Sequence, residues 1–157
     1  HTTTREDDAR LDIRASGFWG GRSECAIFDV RVFNPFTPSN RQTTLAATYR
    51  RHENAKKNRY EERVLEVERA SFTPLIFSTS GGVSRLTTTF MKHLASRLAE
   101  HQELPYSITM AWLRARVSFS LLRSAVLCLR GSRSTAGHPR FDHSVALAAC
   151  QAQFVDV

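Results

Sequence analysis

Apolar and polar residues alternate from Leu11 to Ala15, the period-two pattern of a half-buried strand. Cys25 to Phe33 (CAIFDVRVF) is the clearest strand of the chain. β-Branched and aromatic residues fill it, and Asn34-Pro35 stops it. Between the two strands Gly17, Gly20 and Gly21 surround Phe18 and Trp19, the composition of a loop or wide hairpin turn. The aromatic pair there either caps the core or stacks on unpaired bases. Asn34 to Asn40, with Pro35 and Pro38, reads as a connector. Thr43 or Thr44 is placed to cap a long helix running to about Glu68. Phe72 to Ser78 (FTPLIFS) is another short apolar run, and Ser80-Gly81-Gly82 breaks it. Ser84 then caps a helix to about Gln102, and Pro105 opens one from Tyr106 to about Leu129 that Gly131 ends. The order β-β-α-β-α-α predicts an α/β or α+β fold: a small mixed sheet begun by a β-hairpin, with flanking helices. Residues 1–131 form the predicted domain. Residues 132–157 are expected to be a flexible tail with a short helix near Ser144 to Phe154.

Composition narrows the class. The chain has 157 residues, 41% of them hydrophobic, enough for one domain with a real core and too apolar for wholesale disorder. Cys25, Cys128 and Cys150 contain no CxxC unit, so neither a disulfide framework nor a cysteine zinc site is expected, and the thiols suit a reducing compartment. Arg114, Arg116 and Arg123 interrupt the most apolar stretch, Ile108 to Leu129, which speaks against a membrane span. The net charge is +7, and 19 of the 22 cations are Arg. Arginine grips phosphate with two bonds at once, so a nucleic-acid partner fits, although a GC-rich coding sequence raises Arg as well. Eleven of the 15 acids lie in residues 1–70, and the excess of cations lies later. The first residue is His1 rather than Met, which reads as a segment or a processed product.

The candidate chemistry lies on the hairpin. Alternation places Cys25, Ile27, Asp29, Arg31 and Phe33 on one face of their strand. A carboxylate inside an apolar strand needs compensation. If the hairpin centres near Gly20-Gly21, Asp12 stands opposite Asp29. Facing carboxylates repel, and a divalent cation between them removes the repulsion. Alternatively the hairpin is an ordinary one, with Asp29 salt-bridged to Arg31 or to a helix arginine.

Leu11-Asp12-Ile13, a turn, and Phe28-Asp29-Val30-Arg31-Val32 resemble the core of the PD-(D/E)XK, or restriction-endonuclease-like, nucleases. In that fold a hairpin presents one Asp and then an Asp/Glu-x-Lys triplet. The helix–strand–helix order after the hairpin agrees. Asp12 and Asp29 match the two acids. Arg31 stands at the lysine position, and Leu11 replaces the proline before the first acid. The stretch from about Ala9 to Ser132 also resembles a domain of animal mobile-element reading frames that encode reverse transcriptases. Gly17-Phe18-Trp19, Phe33-Asn34-Pro35, Phe72-Thr73-Pro74-Leu75 and Leu121-Leu122-Arg123-Ser124 carry that likeness. The resemblance implies a DNA endonuclease using Mg²⁺ or Mn²⁺ on Asp12 and Asp29. It further implies a longer polyprotein with a reverse transcriptase, in an intracellular, nuclear setting. A nuclease fold that no longer cuts, and only binds nucleic acid, is the alternative.

Arg31 can stabilise charge on a phosphate but is a poor base, because it keeps its proton. Lys56 is the candidate replacement for the missing lysine. Steps of three and four from Tyr49 reach Glu53, Lys56, Tyr60, Val64 and Val67, so Lys56 approaches the sheet if the valines do. Otherwise this is a solvated helix with a Glu53–Lys57 pair. Arg116, Arg123 and Arg130 recur every seven residues on one helix stripe and suit a phosphate backbone, unless they are simply the solvated side of a helix whose core side holds Trp112, Phe119, Leu122 and Val126. Arg85 and Lys92 are placed to assist phosphate contact. Ser78 to Gly82 is either a phosphate-holding start of a helix or a plain strand-to-helix turn.

Overall fold

The structure, a computed structural model, describes residues 11–21 and 24–130. The strands are β1 (Ile13–Ser16), β2 (Cys25–Phe33) and β3 (Ala70–Ser78). The helices are α1 (Pro38–Arg41), α2 (Leu45–Glu66), α3 (Arg85–Gln102) and α4 (Tyr106–Arg130). The observed order matches the predicted β-β-α-β-α-α, with α1 as an added single turn. Pro38 sits in the first turn of α1, where its missing N–H costs nothing. The chain divides into two compact units, His1–Ala125 and Val126–Val157. The expected tail, residues 132–157 with its short helix, lies outside the described residues, as does Gly131.

The sheet is small and mixed, with strand order β1-β2-β3. β1 pairs antiparallel with β2 in the register Ile13↔Phe28 to Ser16↔Cys25. This is the register in which Gly20 and Gly21 lie at the centre of the hairpin. β3 pairs parallel with β2 from Cys25↔Ala70 to Phe33↔Ser78, and α2 supplies the crossover that a parallel pair needs. β1 covers only the first four residues of β2, Cys25 to Phe28.

Alternation along β2 divides the core between two faces. Ile27 packs with Ala70, Phe72 and Val64 of α2, and Phe33 packs with Ile76 and Tyr49 of α2. On the opposite face Ala26 and Phe28 pack with Leu75, Phe77, Met91 and Ala95 of α3, and Met110 and Leu113 of α4. Phe18 and Trp19 cap this second cluster: Phe18 stacks on Phe90 with centroids 5.0 Å apart, and Trp19 meets Phe18 edge-on at 4.8 Å. The Nε2–H of His93 donates to the Phe18 carbonyl and fixes the hairpin loop to α3.

Local chemistry sets the helix starts. Thr44 accepts the Ala47 N–H and Ser84 accepts the Thr87 N–H, both through side-chain oxygens. The face of α4 differs from expectation. Met110, Leu113, Val117 and Leu121 turn to the core, whereas Phe119 is 71% exposed and Leu122 61%. Both sides of α4 are apolar, so periodicity alone does not choose between them.

β3 is an edge strand, which is why Pro74 is tolerated in it. At Ile76 its free edge is nonetheless satisfied. The Ile76 N–H donates to Thr87 Oγ1 at 2.7 Å, and the Thr87 hydroxyl donates to the Ile76 carbonyl at 3.2 Å. Thr87 is fully buried. Thr87→Val keeps the shape and leaves that buried N–H without an acceptor, at a cost of about 1–3 kcal/mol. Urea unfolding is expected to show this loss, with Thr87→Ser close to the parent chain.

Candidate functional site

Asp29 projects from the middle of β2 beneath α2, with its side chain 6% exposed. Ile27 with Val64 and Tyr60 lies on one side of it, and Phe33 with Tyr49 on the other. Lys56 fills the gap between these apolar clusters. Its ammonium contacts Asp29 Oδ2, its side chain is 18% exposed, and it also lies 5.3 Å from the Tyr60 ring centroid. The partner of Asp29 is therefore Lys56 rather than Arg31 or a helix arginine. Among the described residues Asp29 Oδ2 takes no further hydrogen bond.

Asp12 precedes β1 at an exposed bend. One further step of the β1–β2 register sets it level with Asp29. Its Oδ2 accepts the Val30 N–H at 2.8 Å. Arg31 is half-buried, on the same face of β2 as Asp29. The hairpin register thus sets Asp12 level with Asp29 at the middle of β2, α2 brings Lys56 onto Asp29, and Arg31 lies two residues further along the same face.

His52 and Glu53 complete the surroundings. Of these, His52 was missed by the sequence reading: the step from Tyr49 to Lys56 passes through either residue. His52 lies under α2 against Phe33, ring centroids 4.6 Å apart, and its Nε2 takes no hydrogen bond from the described residues. Burial, then the charges of Arg31 and Arg51, hold its pKa below the ordinary 6.5. Glu53 is also buried, and its Oε1 accepts the Leu86 N–H at 3.2 Å. The expected Glu53–Lys57 pair is replaced by Lys57–Glu61 at 3.8 Å. Val64 faces the sheet as expected, but Val67 is 72% exposed.

Several amides of the turn from β3 to α3 are already bonded within the chain. The Ser78 N–H reaches the Gly82 carbonyl and the Gly81 N–H the Ser78 carbonyl. The Gly82 N–H reaches Ser78 Oγ at 2.9 Å, the Ser84 N–H the Ile76 carbonyl, and the Leu86 N–H Glu53. The segment is a strand-to-helix turn. Glycine is required at 82 because a Cβ there would collide with the Tyr49 hydroxyl.

The arginines are divided. Arg85 is exposed in the first turn of α3, on a cleft shared with Arg50, Glu53 and Lys57 of α2. Arg116 and Arg123 are exposed on α4, on the other side of the sheet, and the Arg116 guanidinium lies 5.6 Å from the Trp112 ring centroid. Arg130 closes α4, and its side chain lies outside the described residues.

Mg²⁺ takes oxygen donors and is commonly held by one or two carboxylates plus water and substrate phosphate. Asp12 and Asp29 match that donor set in type and number. Among the described residues no group of three or more His, Cys, Asp or Glu side chains is placed to hold a metal. Cys25 and Cys128 are free thiols, and no described helix is long and apolar enough to cross a membrane. Compared with protein-family models, curated proteins and solved structures, the chain matches none.

Two measurements probe the site. Lys56→Met leaves the Asp29 carboxylate buried and unpaired, which is expected to cost about 3–5 kcal/mol in urea unfolding, while Asp29→Leu with Lys56→Met recovers most of it. The depressed His52 pKa means that the unfolded chain takes up a proton more readily than the folded one. His52 therefore favours folding fully above the ordinary value, and that contribution falls as the pH drops below it. The urea midpoint is expected to fall between about pH 7.5 and about pH 5.5, and less so in His52→Gln.

Proposed function

We propose that this domain is a Mg²⁺-dependent endonuclease-like domain of a mobile element, acting on phosphodiester bonds of DNA. The observation carrying this reading is the meeting of Lys56 with Asp29. A lysine delivered from α2 reaches the acid whose own strand offers Arg31 in place of lysine. The metal, held by Asp12 and Asp29, would supply Lewis-acid stabilisation of the phosphate.

Asp12 is held at the hairpin end by the Val30 N–H, and Lys56 holds the Asp29 carboxylate in one orientation. Arg31 offers planar donors to the charge that builds on the non-bridging phosphate oxygens as the oxygen of water bonds to phosphorus, the P–O ester bond breaks and the leaving oxygen takes up a proton. Arg85, Arg50 and Lys57 border the neighbouring cleft and attract the strand. The domain works within a longer polyprotein that carries a reverse transcriptase, in the nucleus.

One observation favours a second reading, a non-cutting nucleic-acid-binding module. Lys56 already neutralises Asp29, so the buried acid is explained without a metal. A plasmid assay separates the two. The endonuclease nicks with Mg²⁺ or Mn²⁺ and stops with EDTA, and Asp29→Asn lowers nicking by about a hundredfold or more while retaining DNA. Salt-sensitive retention that EDTA does not alter, without nicking, sinks the enzyme and supports the module.

A further inference from the structure

On the other side of the sheet, a cavity of about 230 Å³ opens between α3 and α4. Met91 and Met110, both buried, form its apolar floor. Lys92 and Arg114 border it with their charges, and Thr88 and Ser118 add hydroxyls. Neither Lys92 nor Arg114 is ion-paired with a described residue. Residues 106–130 contain no Asp or Glu, so nothing on α4 neutralises Arg114. Arg114 also lies off the Arg116–Arg123 line, turned toward α3.

This lining has two unlike parts with one common complement. Methionine thioethers are polarizable and adapt to the surface of a flat aromatic ring. A lysine and an arginine beside such a floor suit a phosphate. Pockets for drug-sized molecules run to about 300–1,000 Å³, so this cavity admits one small unit rather than an extended ligand. A base inside a duplex is stacked and paired and cannot enter. We propose that the cavity receives one nucleotide of an unpaired strand, its base on Met91 and Met110 and its phosphate between Lys92 and Arg114. The proposal rests on the nucleic-acid part of the functional reading and not on the metal pair.

Met91 and Met110 are the two methionines of the chain, so a full-length sample labelled with ¹³C at the methionine methyls gives two signals, and both report on the cavity. Titration with deoxyadenosine 5′-monophosphate is expected to shift both signals saturably. Inorganic phosphate is expected to leave them in place. Lys92→Ala with Arg114→Ala is expected to weaken the nucleotide by about tenfold or more. Ser118→Trp, which fills the cavity from its exposed rim, is expected to abolish the shift while the chain stays folded by circular dichroism. Stationary methyl signals at millimolar nucleotide overturn the proposal. Equal response to deoxyadenosine and to the nucleotide, unaffected by the double variant, overturns the phosphate clamp and with it the assignment. Nicking that depends on Asp29 beside an unresponsive cavity overturns only this site. A chain that retains no DNA at all and ignores the nucleotide overturns both.

Discussion

A carboxylate placed beneath a helix must be neutralised, and this requirement at Asp29 governs how the domain is assembled. The layer between α2 and the sheet is apolar at both ends and ionic in the middle. A shift of α2 by one turn in either direction would bring His52 or Tyr60 over Asp29 in place of Lys56. Either register would leave the acid buried without its cation, at a cost of several kcal/mol. The ion pair therefore selects one helix position among those that apolar packing alone would accept.

The same economy of charges and donors holds at the carboxyl ends of β2 and β3. Open α/β sheets present ligands at these ends. Here the chain supplies its own groups to much of that edge. Thr87 serves the free edge of β3, and Glu53 occupies an amide in the first turn of α3. Among the described residues, Arg85 in the α2–α3 cleft and Lys92 with Arg114 at the α3–α4 cavity form no ion pair, and they lie on two separate surfaces. A strand engaging both must pass around the sheet edge.

Much of the architecture was legible because its signals are local. Thr44 and Ser84 announce helix starts by side-chain chemistry, and the bounds of β2 follow from its composition and from Asn34-Pro35. Alternation correctly put Asp29 and Arg31 on one face, and glycine placement indicated the hairpin register. The Lys56–Asp29 contact was partly legible, as a helix stripe that reaches the sheet. What escaped depends on tertiary contact. Nothing in the sequence around Glu53 marks the Leu86 amide, 33 residues away, as its partner. The two apolar sides of α4 gave no basis for choosing Leu113 and Val117 over Phe119 and Leu122. Pro38 breaks a strand and starts a helix equally well, which hid α1.

The shortness of β1 has a consequence for solution behaviour. Among the described residues nothing pairs with β2 beyond Phe28 on the β1 side, while Val30 and Val32 expose apolar side chains there. Such a rim is a template for another chain to add a strand. Asp12 seizes the Val30 amide, the first donor an incoming strand would need, and puts a negative charge on that rim. The residue proposed to hold a metal thus also acts as a gatekeeper against edge-to-edge aggregation, and any substitution that removes its carboxylate opens this rim to self-association.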